Sequence, residues 1–242
     1  MSLRVKFIRF LISLNENIFF YPNLKRVYEK LLTPKNLTLI DVGSNRGQSI
    51  DFFVKNFNVK KTIGFEPNKK LFNSLTKKYK NHQNIKIFNL GVSSKSDNMI
   101  FHENVLDETS TFENINQSSK YANRKARILG IKTEELFKEK YHVECVTLNQ
   151  FLSKNKIIKV DILKVDVEGH EYEVLKGLFS IGMVSKINFI QLESHNDDMY
   201  ANKNKEIHEI LLSNNFNLCK SINHCFGDFK ELIYVNQFFK GE

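Results

Sequence analysis

The fold is decided by the stretch Leu39-Ile40-Asp41-Val42-Gly43-Ser44-Asn45-Arg46-Gly47, an apolar run that ends in an acid and opens into a glycine turn. A second apolar run, Thr62-Ile63-Gly64-Phe65-Glu66-Pro67, ends in another acid, 23 positions after the first glycine of the turn. In a doubly wound α/β sheet, this order of strand, glycine turn and acid-tipped strand holds a nucleoside by the turn backbone and the acid. The pattern therefore predicts a nucleoside cofactor.

The glycine spacing indicates which cofactor is bound. A pyrophosphate calls for Gly-x-Gly-x-x-Gly, whereas Gly43 and Gly47 form a Gly-x-x-x-Gly pair, with three residues between them. The charge of Asp41 opposes a pyrophosphate but suits an ammonium or sulfonium group. We therefore expect S-adenosylmethionine rather than NAD, although a ligand-free turn is the alternative for the glycines alone. The predicted contacts are Asp41, Gly43, Ser44, Asn45, Gly47, Glu66, Pro67, Gly91 and Asp166.

Length and composition fit one domain of this kind. The chain has 242 residues, within the single-domain range, and its 41% hydrophobic content is enough for a core. We predict an α/β domain over residues 37–242, preceded by a helical lead-in over residues 1–36.

The cysteines indicate a reducing compartment. There are three, with no Cys-x-x-Cys pair, so we expect a cytoplasmic protein without disulfides. Cys219, His224 and Cys225 lie close in sequence but lack the fourth ligand of a structural zinc site. We interpret them as a loop and its flanks.

The net charge of +9 comes mainly from lysines spread along the chain, as on a solvated surface. Such an excess attracts an acidic glycan, an anionic membrane or, without specificity, nucleic acid. Sequence motifs that read nucleic acid are missing. We expect a small-molecule or glycan acceptor and no specific nucleic acid.

The N-terminal segment is apolar nearly all round a predicted helix, with Phe7, Phe10, Leu11 and Leu14 on one face. The apolar run is shorter than the about 20 residues of a membrane span, and no signal-peptide cleavage site follows it. We predict no transmembrane segment and a helix packed on the domain or on a second copy, as in a homodimer. A helix lying on a membrane surface is the alternative.

The rest of the chain alternates between helical and strand patterns. Helices are predicted over 69–79, 120–129 and 205–214, a third strand over 85–92, and two final strands over 216–220 and 231–235 that form an antiparallel hairpin. Residues 98–102 are expected to extend the sheet. The polar stretch 103–140 is too long for a connector and is our candidate for an acceptor-binding insertion; a solvated excursion is the alternative.

The fourth strand, over 160–165, leads into a cluster of ionisable residues: Asp166, Glu168, His170 and Glu171. Because this strand is expected beside the first, the cluster would lie in the ligand crevice at the carboxyl edge of the sheet. Such groups suit general-base chemistry or a hard divalent cation. In the alternative, Glu168 and Glu171 cap the next helix and His170 is exposed.

The fifth strand, over 186–195, ends at Glu193 and His195 on the same edge. Two histidines in the crevice would make proton abstraction from a hydroxyl feasible. A solvated imidazole is the alternative for either one alone.

Several motifs occur in order between about residues 37 and 196. They are Ile40-Asp-Val-Gly-Ser-Asn-Arg-Gly47, Gly64-Phe-Glu-Pro67, Glu108-Thr-Ser-Thr-Phe112, Val146-Thr-Leu-Asn149, Leu163-Lys-Val-Asp-Val-Glu-Gly-His-Glu171 with Val174-Leu-Lys-Gly177, and Leu192-Glu-Ser-His195. This set resembles the FkbM family of S-adenosylmethionine-dependent methyltransferases. The sequence departs from the family pattern at Asn149, where Asp is common, and at His170, where a small residue is common.

The resemblance implies a class I methyltransferase fold, with a Rossmann-like doubly wound sheet of seven strands, and O-methylation of a sugar or other hydroxylated biosynthetic intermediate. Alignment of the reactants in a dry crevice contributes about 7–11 kcal/mol at best to such a transfer. A neutral alcohol must also lose its proton, for which we predict Asp166 or His195 as base, with Glu168 orienting it and His170 nearby. A Mg²⁺ ion bound by the same carboxylates is the alternative.

Other functions remain open at this point. A nucleic-acid methyltransferase would account for the basic charge, but the turn Asp166-Val-Glu-Gly169 is not the Asn/Asp-Pro-Pro-aromatic turn common in base methylation. A non-catalytic cofactor-binding protein is a further alternative. The glycine spacing disfavours a nicotinamide dehydrogenase.

Overall fold

The chain forms two β-sheets with helices around them. A computed structural model describes residues 7, 10–11, 14–32, 36–105, 109–114, 116–180, 186–195, 198–224 and 229–239, and of residue 195 the backbone only. The strands are β1 (Leu37–Val42), β2 (Val59–Phe65), β3 (Ile85–Phe88), β4 (Gly91–Val92), β5 (Asn98–Asn104), β6 (Phe137–Val146), β7 (Lys159–Val165), β8 (Lys186–His195), β9 (Phe216–Asn223) and β10 (Phe229–Asn236). The α-helices are α1 (Tyr21–Leu31), α2 (Gln48–Asn56), α3 (Lys69–Lys78), α4 (Lys120–Leu129), α5 (Leu148–Lys154), α6 (Glu171–Phe179) and α7 (Asn204–Ser213).

The main sheet has seven strands in the order β3-β2-β1-β7-β8-β10-β9. The first five are parallel, whereas β10 runs antiparallel to β8 and β9. The predicted α/β class, the seven strands and the C-terminal antiparallel hairpin are therefore confirmed. Because β9 runs in the same direction as β8, the end of β9 and the start of β10 lie at the same edge as the carboxyl ends of the parallel strands.

Apolar side chains alternate between the two faces of the main sheet, as its pleat requires. Leu39 and Phe189 face α1 and α2 in one core cluster. Ile40 and Ile190 face α5, α6 and α7 in the other. Burial on both faces explains why β1 and β7 are nearly continuous apolar runs.

A separate sheet joins β4, β6 and β5, in that order. The predicted strand over 85–92 is thus divided: β3 belongs to the main sheet, whereas β4 pairs with the end of β6. The expectation that residues 98–102 extend the main sheet is wrong, because β5 pairs antiparallel with β6. The predicted insertion over 103–140 consists of the ends of these two strands with α4 and a 3₁₀ turn (Thr133–Leu136) between them.

The lead-in packs on the domain through its second half. Leu24 and Tyr28 of α1 are 1% and 0% exposed and belong to the same cluster as Phe189; burying a side chain of this size contributes about 1.5–3 kcal/mol. Phe7 and Phe10 are instead about 60% exposed (59% and 61%). Packing of this first half on a second copy or on a membrane surface stays a prediction.

In the described part of the chain, no helix combines the length and the apolar character needed to cross a membrane.

Candidate active site

A cavity of about 490 Å³ lies at the carboxyl edge of the main sheet. Its walls come from the ends of the parallel strands, from the insertion through residues 109–112 and α4, and from the lead-in together with β9 and β10. Cavities of this size hold small molecules. The predicted site residues that line it are Gly43, Ser44, Asn45, Glu66, Pro67, Gly91, Asp166 and Glu168.

The turn after β1 depends on its two glycines. Gly43 and Gly47 have φ values of +86° and +79°, which glycine alone adopts without strain. A Cβ at Gly43 would overlap the carbonyl oxygen of Asp166, and one at Gly47 would overlap the hydroxyl of Tyr79. Gly43 therefore allows the ends of β1 and β7 to approach each other at the cavity, whereas Gly47 supports the turn from outside the cavity lining.

Glu66 ties the end of β2 to this turn. Its Oε2 accepts a hydrogen bond from the backbone N–H of Asn45 at 2.7 Å, and its Oε1 accepts one from the N–H of Asn68 at 2.8 Å. The side chain is buried, yet it lines the cavity. Because each carboxylate oxygen can accept a second hydrogen bond, Glu66 can also receive hydroxyl groups of a ligand.

Asp41 is placed below the cavity rather than in its lining. It is 1% exposed, and its Oδ2 has no hydrogen-bond partner among the described residues. Burial raises the pKa of Asp41 to about 6, although the neighbouring Lys164 acts to lower it. Asp41 thus faces Lys164, its register partner on β7.

Lys164 is a functional residue that the sequence reasoning did not single out. Its Nζ is 2.8 Å from Oδ2 of Asp166 and 3.7 Å from Oε1 of Glu231, and its side chain is only 6% exposed. Burial alone would lower the pKa of Lys164, but Asp166, Glu231 and Asp41 raise it well above the usual value. Lys164 therefore neutralises buried acids and fixes the orientation of the Asp166 carboxylate in the cavity.

A hydrogen-bond chain connects this charge cluster to the lead-in. Tyr28 donates its hydroxyl proton to Oε1 of Gln191 at 2.8 Å, and Nε2 of Gln191 donates to Oε2 of Glu231 at 3.0 Å. All three side chains are buried. The charges at the cavity floor are thus supported by contacts that begin in α1.

Three carboxylates converge at the ends of β7 and β8: Asp166, Glu168 and Glu193 each offer an oxygen within 4.8 Å of the others. Glu168 has a φ of +53°, a left-handed conformation that is strained for a residue with a side chain. Hard carboxylate oxygens are the ligands that Mg²⁺ prefers, so the donor set fits such an ion. The ammonium group of Lys164, at 2.8 Å from Asp166, opposes a cation at the same place.

His170 does not lie in this cavity, contrary to its predicted place beside the ligand. Its Nε2 is 2.9 Å from Oγ of Ser93, and its Nδ1 is 2.7 Å from Oε1 of Glu113. Burial alone would raise the pKa of Glu113, but His170 and Lys203 lower it. The ring is 2% exposed, so the alternative of a solvated His170 is also wrong; the side chain joins the insertion to α6.

Of the remaining predicted residues, Glu171 closes a turn, and the side chains of the others lie outside the described part of the structure. Oε1 of Glu171 accepts hydrogen bonds from the backbone N–H groups of Val167 and Gly169, so this carboxylate closes the turn before α6. His195 ends β8, but its side chain lies outside the described part of the structure, as do Glu108 and Cys225. Their predicted roles stay predictions.

Comparison with known proteins identifies the family. The model of the family described as "Methyltransferase FkbM domain" matches residues 41–218. The chain belongs to the FkbM methyltransferase family. The resemblance inferred from the sequence motifs is thereby confirmed.

Relatives of the chain differ in length and in similarity. The hexuronic acid methyltransferase AglP of Haloferax volcanii is 28% identical over 158 residues, which are 65% of this chain and 55% of the relative. The chain thus spans about half the length of that curated relative. The TrmK protein of M. capricolum, solved with S-adenosylhomocysteine, superposes with a TM-score of 0.50 at 13% identity over 93% of this chain and 70% of its own. A methyltransferase FkbM of Methylobacillus flagellatus KT superposes with a TM-score of 0.48 at 12% identity over 83% of this chain and 43% of its own.

One wall of the cavity was missed by sequence reasoning. It contains Phe20 and Tyr21 of the lead-in and His224, Phe229 and Glu231 of the C-terminal strands. None of these residues stands in a motif, and they come together only because β9 and β10 return to the carboxyl edge of the sheet. His224, interpreted as part of a loop, is an aromatic element of this wall.

Proposed function

We propose that this FkbM methyltransferase transfers the methyl group of S-adenosylmethionine to a hydroxyl group of a sugar or a similar hydroxylated intermediate. The observation that carries the proposal is the cavity itself. It combines the glycine turn and Glu66, which suit a nucleoside, with a cluster of three carboxylates that suits a hydroxylated acceptor. Membership of the family supports the same conclusion.

The donor is assigned from the ends of β1 and β2. Glu66 provides buried acceptors for ribose hydroxyls, and the backbone at Gly43 is open to the cavity because no side chain covers it. Among the residues that the structure describes, six carboxylates and three permanent cations line the cavity, so its charge suits a sulfonium compound better than a pyrophosphate. These features support S-adenosylmethionine over NAD.

The acceptor is assigned from the ends of β7 and β8. Carboxylates accept hydrogen bonds from hydroxyl groups, and Glu168 and Glu193 lie where the strands β7 and β8 end. The name of the relative AglP, a hexuronic acid methyltransferase, supports a sugar. The insertion adds polar groups at Thr109, Ser110 and Thr111, which supports its predicted role in acceptor binding.

The chemistry requires alignment and removal of one proton. When bound, the cofactor supplies a methyl group on a cationic sulfur. In this proposal Asp166, held by Lys164 at 2.8 Å, takes the proton of the acceptor hydroxyl. Glu168 orients the acceptor, and the cavity walls exclude water from the reacting groups.

Calorimetry tests the cofactor. We expect S-adenosylmethionine and S-adenosylhomocysteine to bind and NAD not to bind. Glu66→Ala should weaken binding by about 1–3 kcal/mol through loss of charged hydrogen bonds, whereas Glu144→Ala, at an exposed carboxylate of β6, should bind as the unchanged protein does. Heat of binding from NAD alone would refute the assignment.

Transfer of a labelled methyl group to a panel of hexoses, sugar nucleotides and transfer RNA tests the acceptor and the base. We expect transfer to a sugar, reduced about 100-fold or more in Asp166→Asn and Glu168→Gln with the fold intact. Glu173→Gln is the matched control, because Glu173 pairs with Ser94 and Lys176 outside the cavity. Transfer to RNA only would indicate a nucleic-acid methyltransferase instead. Binding of the cofactor without transfer to any acceptor would indicate a non-catalytic cofactor-binding protein.

A further inference from the structure

One wall of the cavity is built outside the part of the chain that matches the family model. We term it the flanking wall and define it by Phe20, Tyr21, His224, Phe229 and Glu231. The family match covers residues 41–218, whereas every member of this wall comes from the lead-in, from β10 or, as His224 does, from directly after β9. The wall is therefore not specified by the motifs that define the family.

The flanking wall presents three aromatic rings in a row. The ring of His224 stacks on Phe20, with centroids 4.2 Å apart and planes at 24°, and its centroid lies 4.6 Å from that of Phe229, with the planes tilted at 44°. Phe20 also makes an edge contact with Tyr21 at 5.2 Å. These contacts fix the rings in place, so the wall is a preformed surface rather than a set of mobile side chains.

The same wall carries a polar group without a hydrogen-bond partner. Nε2 of His224 is buried, has no hydrogen-bond partner among the described residues and lies 4.0 Å from Oε1 of Glu231. Burial lowers the pKa of His224 to about 4, so the imidazole is neutral near pH 7. A buried nitrogen of this kind calls for a partner, and a ligand hydroxyl can both donate to and accept from it.

The charge around this wall is negative. The cavity is lined by Glu16, Glu66, Asp166, Glu168, Glu193 and Glu231, against the cations Arg46, Lys125 and Lys164. Arg46 comes from the glycine turn and Lys125 from the insertion, whereas Lys164 is shared between Asp166 and Glu231 and also faces Asp41. One ammonium group thus faces three carboxyl groups, and the balance of charge beside Glu231 stays negative. A ligand carboxylate at the flanking wall would meet Glu231, and like charges at short range repel strongly in a buried site.

From these contacts we infer that the flanking wall binds an uncharged pyranose ring of the acceptor. A pyranose has a face of C–H groups that packs on aromatic rings and an edge of hydroxyl groups that matches the imidazole of His224 and the carboxylate of Glu231. The inference rests on the proposed function and narrows it: the acceptor ring is neutral at this wall, unlike the hexuronic acid in the name of the relative AglP.

Saturation-transfer NMR on the full chain tests this inference, with and without S-adenosylhomocysteine. The probes are the methyl α-D-pyranosides of glucose, mannose and galactose and the corresponding uronic acids. We expect at least one neutral glycoside to receive saturation and its uronic acid to bind more weakly. Phe229→Leu, which keeps apolar volume but removes the ring, should weaken binding about three- to tenfold. His224→Phe, which keeps a ring but removes Nε2, should also weaken it.

Phe238→Leu is the matched control, because Phe238 is 64% exposed and outside the cavity lining; it should bind the glycosides as the unchanged protein does. The affinity for S-adenosylhomocysteine should stay the same in all three variants. Absence of saturation for every neutral glycoside, tighter binding of the uronic acids, or unchanged binding by Phe229→Leu would overturn the inference. Failure of the unchanged protein to bind S-adenosylhomocysteine would instead count against the proposed function.

Discussion

Replacement of Lys164 by methionine should destabilise the protein strongly at neutral pH and weakly in acid. Methionine keeps most of the apolar stem of the side chain but removes the ammonium group that lies among Asp41, Asp166 and Glu231. Asp41 and Glu231 are 1% and 3% exposed, so the substitution leaves buried negative charges without their counterion.

The magnitude follows from the cost of breaking a buried ion pair, which is about 3–5 kcal/mol. In a chain of this length, 1 kcal/mol corresponds to about 2–4 °C in Tm, so we expect a decrease of about 10 °C at pH 8. Burial raises the pKa of Glu231, and that of Asp41 to about 6, even with Lys164 present. Without Lys164 these pKa values rise further, the carboxyl groups are neutral at pH 4, and the difference from the unchanged protein should largely vanish there.

Thermal unfolding followed by circular dichroism from pH 4 to pH 8 measures this difference. Lys159→Met is the matched control, since Lys159 lies on the same strand and contacts Asp161 at 3.4 Å but is 49% exposed; its loss should cost less than about 1 kcal/mol. A second change, Glu231→Gln, should restore part of the stability of Lys164→Met at pH 8. A loss of stability that is the same at every pH would refute the electrostatic explanation.

Three further expectations concern single sites. The pKa of Asp41 is about 6 in the folded chain, against an ordinary value of 3.8. As the pH rises from about 4 to 6, the unfolded chain therefore loses this proton before the folded chain does, and the free energy of unfolding of the unchanged protein should fall by about 3 kcal/mol. In Asp41→Asn this loss should be absent when melting is measured across the same pH range. Gly47→Ala should lower Tm, because residue 47 has a positive φ and the added Cβ would overlap the hydroxyl of Tyr79. A second change, Tyr79→Phe, removes that hydroxyl and should recover part of the loss. An unchanged Tm in Gly47→Ala would contradict this geometry. Methyl transfer should continue in the presence of a chelator, because Lys164 opposes a cation at Asp166. A chelator that stops the transfer, together with recovery on addition of Mg²⁺ that is lost in Glu193→Gln, would show that a metal ion takes part instead.

The parallel half of the fold was predictable because each strand is an apolar run with a sharp end. The glycine turn and Glu66 could be found for the same reason, since positive φ values and a buried acid at a strand end require particular residues. Lys164 also left a signal, which was overlooked: a lysine in a strand buried on both faces is unusual, and it needs a nearby acid.

His170 shows why the rest could not be predicted. Its position after β7 was correct, but the direction of its side chain depends on the left-handed backbone of Glu168 and Gly169, with φ values of +53° and +92°. Nothing in the residue types before the turn specifies that its ring meets Ser93 and Glu113, because these partners are 77 and 57 positions away along the chain. Contacts of this kind arise from tertiary structure and carry no local pattern.

The hydrogen bond between Tyr28 and Gln191 makes the start of β1, four residues before the family match, a poor place to shorten the chain. A protein that began at residue 37 would keep every family motif, but it would expose Phe189 and leave Gln191, the partner of Glu231, facing water. The ion cluster below the cavity would then be open to solvent from the side opposite the ligand. A chain that keeps α1 is therefore expected to be more stable than one that starts at β1, because this helix closes that side of the ion cluster to water.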